Sequence, residues 1–203
     1  MLRKTYNNGR AMAEHRTEAH DPSRRRLAAE RFLAGVEQRA FRMAVIATRQ
    51  RDEALDIVQD TMLAWVSHYL GHPQDDWKPL FYKVLQNRIR DWRRRNMVRR
   101  RVMTWLGRGG DDGQGTLDGL AVIADPGAAD PAGTLAHRQT LERLLRAVER
   151  LPLRQQQAFL LRSWEGLDVA ETALAMGCSE GSVKTHLSRA MSSLRASLGD
   201  GNE

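Results

Sequence analysis

Four carboxylates, Asp52, Glu53, Asp56 and Asp60, stand within one short stretch, and Asp56 and Asp60 are four residues apart, which puts both on one face of a helix. Paired carboxylates can hold a divalent cation, and such a cation could activate water against a phosphodiester, as in a metal-dependent nuclease with a DNA-binding tail. The set is poor for that purpose. No histidine or third carboxylate is placed to complete a coordination shell, and His68 and His72 have Gly71 between them. Cys178 is the only cysteine, so an internal disulfide and a cysteine-based zinc cluster are excluded, and it reads as a small turn residue. No GxxxxGK[ST] loop occurs to bind and spend a nucleoside triphosphate. The residue types therefore point to binding rather than to an enzyme, with no metal and no cofactor expected.

Charge says what would be bound. The chain of 203 residues has a net charge of +7 and a pI near 10.3, a balance that favours a polyanionic partner. Distribution is more telling than the total. From Trp77 to Leu106 there are ten Lys and Arg against the single acid Asp91. A solvated helix end is the plainer alternative for Arg93, Arg94, Arg95, Arg99, Arg100 and Arg101, so the run alone does not decide. No apolar run is long enough to span a membrane, and the first residues carry no apolar signal core, so no membrane insertion and a cytoplasmic location are expected.

Periodicity supplies the elements that must position these groups. Residues 1–24 are polar and without period, and read as a disordered tail. Leu33, Val36, Ala40, Met43, Ala44 and Ala47 form the stripe of an amphipathic helix. The segment RDEALDIVQDTMLAWVSHY opens on Asp52 and Glu53, suited to a helix N-terminus, puts Ala54, Val58, Thr61, Met62, Trp65 and Tyr69 on one face, and ends at Gly71 and Pro73. A third helix from about Lys78 past Arg95 turns Phe81, Val84, Leu85, Ile89 and Trp92 inward and its cations largely outward. Residues 107–134 hold eight of the 16 glycines and five aspartates against one arginine, the composition of a flexible linker whose one apolar island is Leu117 to Ile123. Helical pattern resumes near Leu135, with Leu141, Leu144, Leu145, Val148 and Leu151 toward a core, and Pro152 suits the first turn of the next helix. No strand pair or repeat is visible. The fold class is all-α, in two helical domains of residues 25–106 and 135–199.

The second domain carries a helix-turn-helix pattern. After Gly166, DVAETALAM makes a short helix, Gly177 supplies the turn and Ser179 is an N-cap for a longer helix that buries Val183, Leu187, Ala190, Met191, Leu194 and Leu198. Its other face, Ser182, Lys184, Thr185, Ser188 and Arg189, is short, polar and cationic, and can enter a major groove. An ordinary solvated helix or a protein-binding one fits the same residues, so on physics alone the choice stays open.

LPLRQQQAFLLRSWEGLDVAETALAMGCSEGSVKTHLSRAMSSLR resembles region 4 of the extracytoplasmic-function (ECF) sigma factors, subunits of bacterial RNA polymerase. DIVQDTMLAWV resembles their region 2.2, and WKPLFYKVLQNRIRDWRRR their regions 2.3 and 2.4, in the family's order. The resemblance implies a two-domain initiation factor whose partners are core RNA polymerase, promoter DNA and an anti-sigma factor. It implies polymerase docking at Asp56, Gln59 and Asp60. It implies contact with the −10 element at Lys83, Asn87, Arg88, Asp91, Arg94 and Arg95, with the loop His68 to Trp77 taking a flipped base. It implies −35 contact at Gly181, Ser182, Lys184, Thr185, His186 and Arg189, supported by Arg154 and Arg162, and an acidic linker that mimics nucleic acid on the polymerase. The chain departs from the pattern at four places: Trp65 stands one residue early, Trp77 with Pro79 replaces a tryptophan nearer Leu80, Thr172 replaces an apolar residue, and His186 stands where arginine is common. A polymerase-independent helix-turn-helix regulator is the alternative; it would leave the first two motifs without a use.

Overall fold

The computed structural model describes residues 22–105 and 134–199, and every regular element among them is a helix. The expected linker except Thr134, which is already helical, lies outside the described residues with its island Leu117–Ile123, as does most of the expected N-terminal tail. The tail differs at its end: helix α1 spans Pro22–Thr48 and so begins ahead of Arg25, with Pro22 at a first-turn position that needs no N–H. Its buried face holds Val36, Ala40, Met43, Ala44 and Ala47, as the stripe requires, with Leu33 partly covered.

A tight corner joins α1 to α2, Arg51–Tyr69. Arg49 takes the left-handed conformation (φ 59°), and the Thr48 hydroxyl donates to the carbonyls of Ala44 and Gln50, both at 2.9 Å. Helix α2 buries Ala54, Ile57, Val58, Thr61 and Trp65. A 3₁₀ turn at Gln74–Asp76 leads into α3, Trp77–Trp105. Pro79 sits in the first turn of α3, where its missing N–H costs no helical bond, so the helix begins before the proline rather than after it. Phe32, Trp65 and Trp77 pack at centroid distances of 5.0, 5.7 and 5.3 Å, tying the first three helices together. Trp77 is core, and its indole N–H donates to the His72 carbonyl at 2.9 Å, pinning the preceding loop.

The second module comprises α4, Thr134–Arg150; α5, Leu153–Phe159, which widens into π-helical turns at Leu160–Trp164; α6, Val169–Met176; and α7, Glu180–Gly199. Leu145, Val148 and Leu151 are buried, whereas Leu141 is exposed. Helix α6 opens with a capping box: Asp168 Oδ1 accepts from the Glu171 N–H, and Glu171 Oε2 accepts from the Asp168 N–H, each at 2.7 Å. Thr172 does not loosen this helix, because its buried hydroxyl donates to the Asp168 carbonyl at 2.6 Å. Asp168→Ala removes the side-chain half of the cap but leaves that carbonyl, so a loss of about 1 kcal/mol in urea unfolding is expected. Gly177, at φ 63°, ends α6 in the left-handed region that favours glycine.

The buried residues of both modules form one continuous core, with α3 packed on α6 as well as on α1 and α2. Periodicity accounts for the inward residues of α3, but not for Tyr82, which is fully buried on the side facing the second module.

Candidate nucleic-acid interface

Asp56, Gln59 and Asp60 all lie exposed on α2. Gln59 lines a mainly apolar cleft of about 340 Å³ between α1 and α2, together with Phe41, Leu55, Val58 and Met62. Leu55, Leu63 and Val66 remain exposed on the same helix, which is an apolar surface rimmed by carboxylates. Among the described residues no cluster of histidine, cysteine and carboxylates is arranged to hold a metal ion. Asp60 instead pairs with Arg88 of α3 at 3.6 Å, which brings two of the sequence-derived sites edge to edge. Glu53 is used structurally, accepting from the Trp92 indole at 2.7 Å.

The basic face of α3 divides in two. Asp91, Arg94 and Arg95 are exposed, with Arg94 donating to Asp91 at 3.2 Å, and Lys83, Asn87 and Arg88 are half-buried along the same helix. Asn87 is not free: its Oδ1 accepts from Arg90. Lys78, Arg90 and Arg93 lie on the side turned to the second module and all make bonds to backbone carbonyls. Arg93 reaches the Ala47 carbonyl at 3.0 Å, and its guanidinium is held below its ordinary range by burial and then by nearby Arg49. Arg49 crosses to α4, with its Nε 4.0 Å from the Glu149 carboxylate; burial pushes that carboxyl up, against the pull of Arg49, Arg146 and Arg150.

On α7 the polar face stays open. Gly181, Lys184, Thr185 and Arg189 are exposed and Ser182 and His186 half-buried, while Val183, Ala190 and Leu194 hold the helix from beneath. Ser179 caps the helix by accepting from the Ser182 N–H at 3.2 Å, as its position predicts. The Thr185 hydroxyl donates back to the Gly181 carbonyl at 3.0 Å, leaving its methyl and the neighbouring cations as the outward groups. Arg154 and Arg162 are occupied inside the module, Arg154 donating to the Met176 carbonyl at 2.6 Å and Arg162 to that of Leu167. In the sequence Lys78 and Arg90 are two of the ten cations of the run, with no separate role. They lie on one side of α3 with Tyr82 and Arg93, within about a third of the helix circumference. That spacing is visible in the sequence; what covers it is not.

The chain is similar to known proteins in sequence and in fold. The family model for sigma-70 region 4 matches residues 141–194, which take in the whole polar face of α7. The RNA polymerase sigma factor NccH of Alcaligenes xylosoxydans xylosoxydans is 29% identical over 147 residues, 70% of this chain and 72% of that protein. The ECF RNA polymerase sigma factor EcfG of Rhodopseudomonas palustris is 29% identical over 170 residues, 82% of each. The ECF sigma factor BldN of Streptomyces coelicolor is 49% identical over 57 residues, 28% of this chain and 22% of that one. In fold the chain is similar to the sigma factor RpoE of Bartonella quintana, solved with the anti-sigma factor NepR (TM-score 0.55, 23% identity, 82% of this chain and 94% of that one). It is likewise similar to CnrH, solved with the cytosolic domain of CnrY (TM-score 0.54, 19% identity, 88% and 91%). Among the described residues no helix is long and apolar enough to cross a membrane. With the three motifs in order and this two-module helical fold, the chain is similar to the extracytoplasmic-function sigma factors of RNA polymerase, and its residues 141–194 match sigma-70 region 4.

Proposed function

We propose that the chain docks on core RNA polymerase through α2, reads the −35 duplex with α7 and captures the unwound −10 strand on α3. The observation that carries this is the open face of α7, from which Lys184, Arg189 and the Thr185 methyl project while a capped turn and a buried apolar side hold the helix. In this reading residues 25–106 act as region 2 and residues 135–199 as region 4, joined by residues 107–134. Asp56, Gln59 and Asp60, beside the exposed Leu55, Leu63 and Val66, offer the polymerase a carboxylate-rimmed apolar surface. Lys83, Asn87, Arg88, Asp91, Arg94 and Arg95 face the melted strand, with phosphates held by the cations and bases met by the polar side chains. Gly181, Ser182, Lys184, Thr185, His186 and Arg189 face the −35 groove. No bond is made or broken by this chain; strand opening draws on binding energy alone. Two neighbours in fold were solved with an anti-sigma factor or a cytosolic domain bound, which supports a protein inhibitor as a further partner here.

Run-off transcription with core polymerase, with and without the protein, tests the reading. Discrete starts sharing two upstream elements are expected; no response of core, with protection of a palindrome by the chain alone, would replace it with a polymerase-independent regulator. Asp60→Ala separates function from stability. The Asp60–Arg88 pair is solvent-exposed on both sides and worth about 0–1 kcal/mol at most. The variant should therefore melt like the parent while giving several-fold less run-off product.

A further inference from the structure

The last turns of α3 carry a second constellation, distinct from the residues assigned to the promoter. A cleft of about 800 Å³ lies between these turns, the α1–α2 corner and α4, and Arg49, Trp92, Arg93, Arg101, Trp105 and Glu149 line it. Its volume falls within the range of about 300–1,000 Å³ usual for small-molecule sites. Three guanidiniums stand there against one carboxyl, and the exposed Arg94, Arg95 and Arg99 of the same helix do not line it. The cleft is therefore a discrete group of cations, separate from the general basic surface.

Its groups are held in unusual states. Arg49, at φ 59°, is the one residue other than glycine with a left-handed backbone among the described residues, a strained conformation for a long side chain. From that corner its Nη2 donates to the Glu149 carbonyl at 3.2 Å. Arg93 is pinned by Nε and Nη2, which donate to the Ala47 carbonyl at 3.3 and 3.0 Å and leave Nη1 without an acceptor among the described contacts. Burial and then Arg49 hold the Arg93 guanidinium below its ordinary range, so the two cations repel each other, a cost that a bound anion would offset. Burial pushes the Glu149 carboxyl up, so it opposes an incoming anion less than an ordinary carboxylate does. Trp105, the last residue of α3, is 85% exposed at the same cleft. An open aromatic face beside guanidiniums suits a flat base that carries phosphates: stacking holds the ring, and charge-assisted bonds hold the anion. The α1–α2 corner and α4 wall the cleft, and its cations are gathered in one place rather than strung along a track. That arrangement fits a short ligand better than a strand.

We propose that this cleft binds a free nucleoside polyphosphate, with the base stacked on Trp105 and the phosphates held by Arg49, Arg93 and Arg101. The inference goes beyond the promoter contacts proposed above and does not rest on them. Arg49 belongs to the α1–α2 corner, Arg93, Arg101 and Trp105 to α3, so the ligand would join two parts of the fold and stabilise the folded chain by mass action.

The test uses the full chain and N-methylanthraniloyl-ADP, followed by fluorescence anisotropy in EDTA and displaced by unlabelled ADP, adenosine, pyrophosphate or a short single-stranded oligonucleotide. One saturable site is expected, with ADP displacing the probe at about tenfold lower concentration than adenosine or pyrophosphate, because stacking and charge both contribute. Trp105→Ala should weaken ADP about tenfold and leave pyrophosphate unchanged, at little cost to the fold since the ring is exposed. Arg49→Gly removes a guanidinium from a position whose backbone glycine adopts freely, so ADP should weaken about tenfold while adenosine does not. If that variant melts early, Arg101→Ala, at an exposed position, makes the same comparison. Arg99→Ala, exposed on the same helix outside the cleft, should bind ADP like the parent. Absence of saturable binding, pyrophosphate matching ADP, or an Arg99→Ala loss equal to that of Arg49→Gly would each overturn the inference. Displacement by the oligonucleotide at a lower concentration per nucleotide than by ADP would overturn it too, and would give the cleft to a strand instead.

Discussion

Trp65→Ala is expected to destabilise the chain by about 3–5 kcal/mol, the cost of removing a large ring from a core that cannot fully collapse around the space. Trp65 is fully buried and meets Phe32 at 5.0 Å and Trp77 at 5.3 Å, so one ring holds α1, α2 and the start of α3 in register. Against a total stability of about 5–15 kcal/mol, the loss is large enough to populate unfolded chain near physiological temperature. Urea unfolding followed by far-UV circular dichroism reads it. Trp65→Phe is the informative control. The indole N–H has no hydrogen-bond partner, so phenylalanine keeps much of the packing and removes a buried orphan donor. Its loss should be well under half that of alanine; an equal loss would mean that the ring contacts named here do not carry the stability. The effect reaches the loop into α3 through Trp77, whose indole bond to His72 shapes that loop: slackening its partner ring loosens it.

Arg189→Ala is the second large effect. Arg189 is exposed on α7 one turn beyond Thr185, on a helix whose buried side leaves it no alternative orientation toward the core. If it reads a base edge, its loss costs about 1–3 kcal/mol of binding and relaxes preference at one position of the −35 element. If it holds phosphate, binding weakens uniformly across sequences and the salt slope falls by about one. Fluorescence anisotropy on duplex panels at several salt concentrations separates the two. In either case the melting temperature should stay within a degree or two, because no described contact of the fold passes through this side chain. An unchanged affinity on every duplex would remove α7 from the proposed DNA interface.

The two variants probe levels of description that differ in how far the sequence reveals them. Helix boundaries were largely legible: the periodic stripe, the acidic start at Asp52 and Glu53 and the stop before Gly71 place α2 at Arg51–Tyr69. Ser179 and Gly177 punctuate the helix-turn-helix for the same reason, since a cap and a left-handed turn are demands on local backbone that few residue types meet. The start of α3 was legible to within a residue: the pattern places it at about Lys78, and the helix begins at Trp77 with Pro79 in its first turn. Thr172 was legible only as a polar residue where the family pattern has an apolar one; the structure shows its hydroxyl satisfied within its own helix.

Composition and motif order by themselves determined an all-helical, two-module chain with a cationic third helix and a last helix with one polar, cationic face, because charge, periodicity and capping are properties of neighbouring residues. What only the tertiary structure decided is which side of the third helix remains available. Lys78 and Arg90 look like any other cations of the run, but the carbonyls of Glu165 and Met176 that receive them are more than eighty residues away in the chain. No local pattern encodes that partnership. It arises when the turns around a capped helix are brought against α3, where the buried Tyr82 and Glu165 register both the closeness of the fit and its incomplete satisfaction.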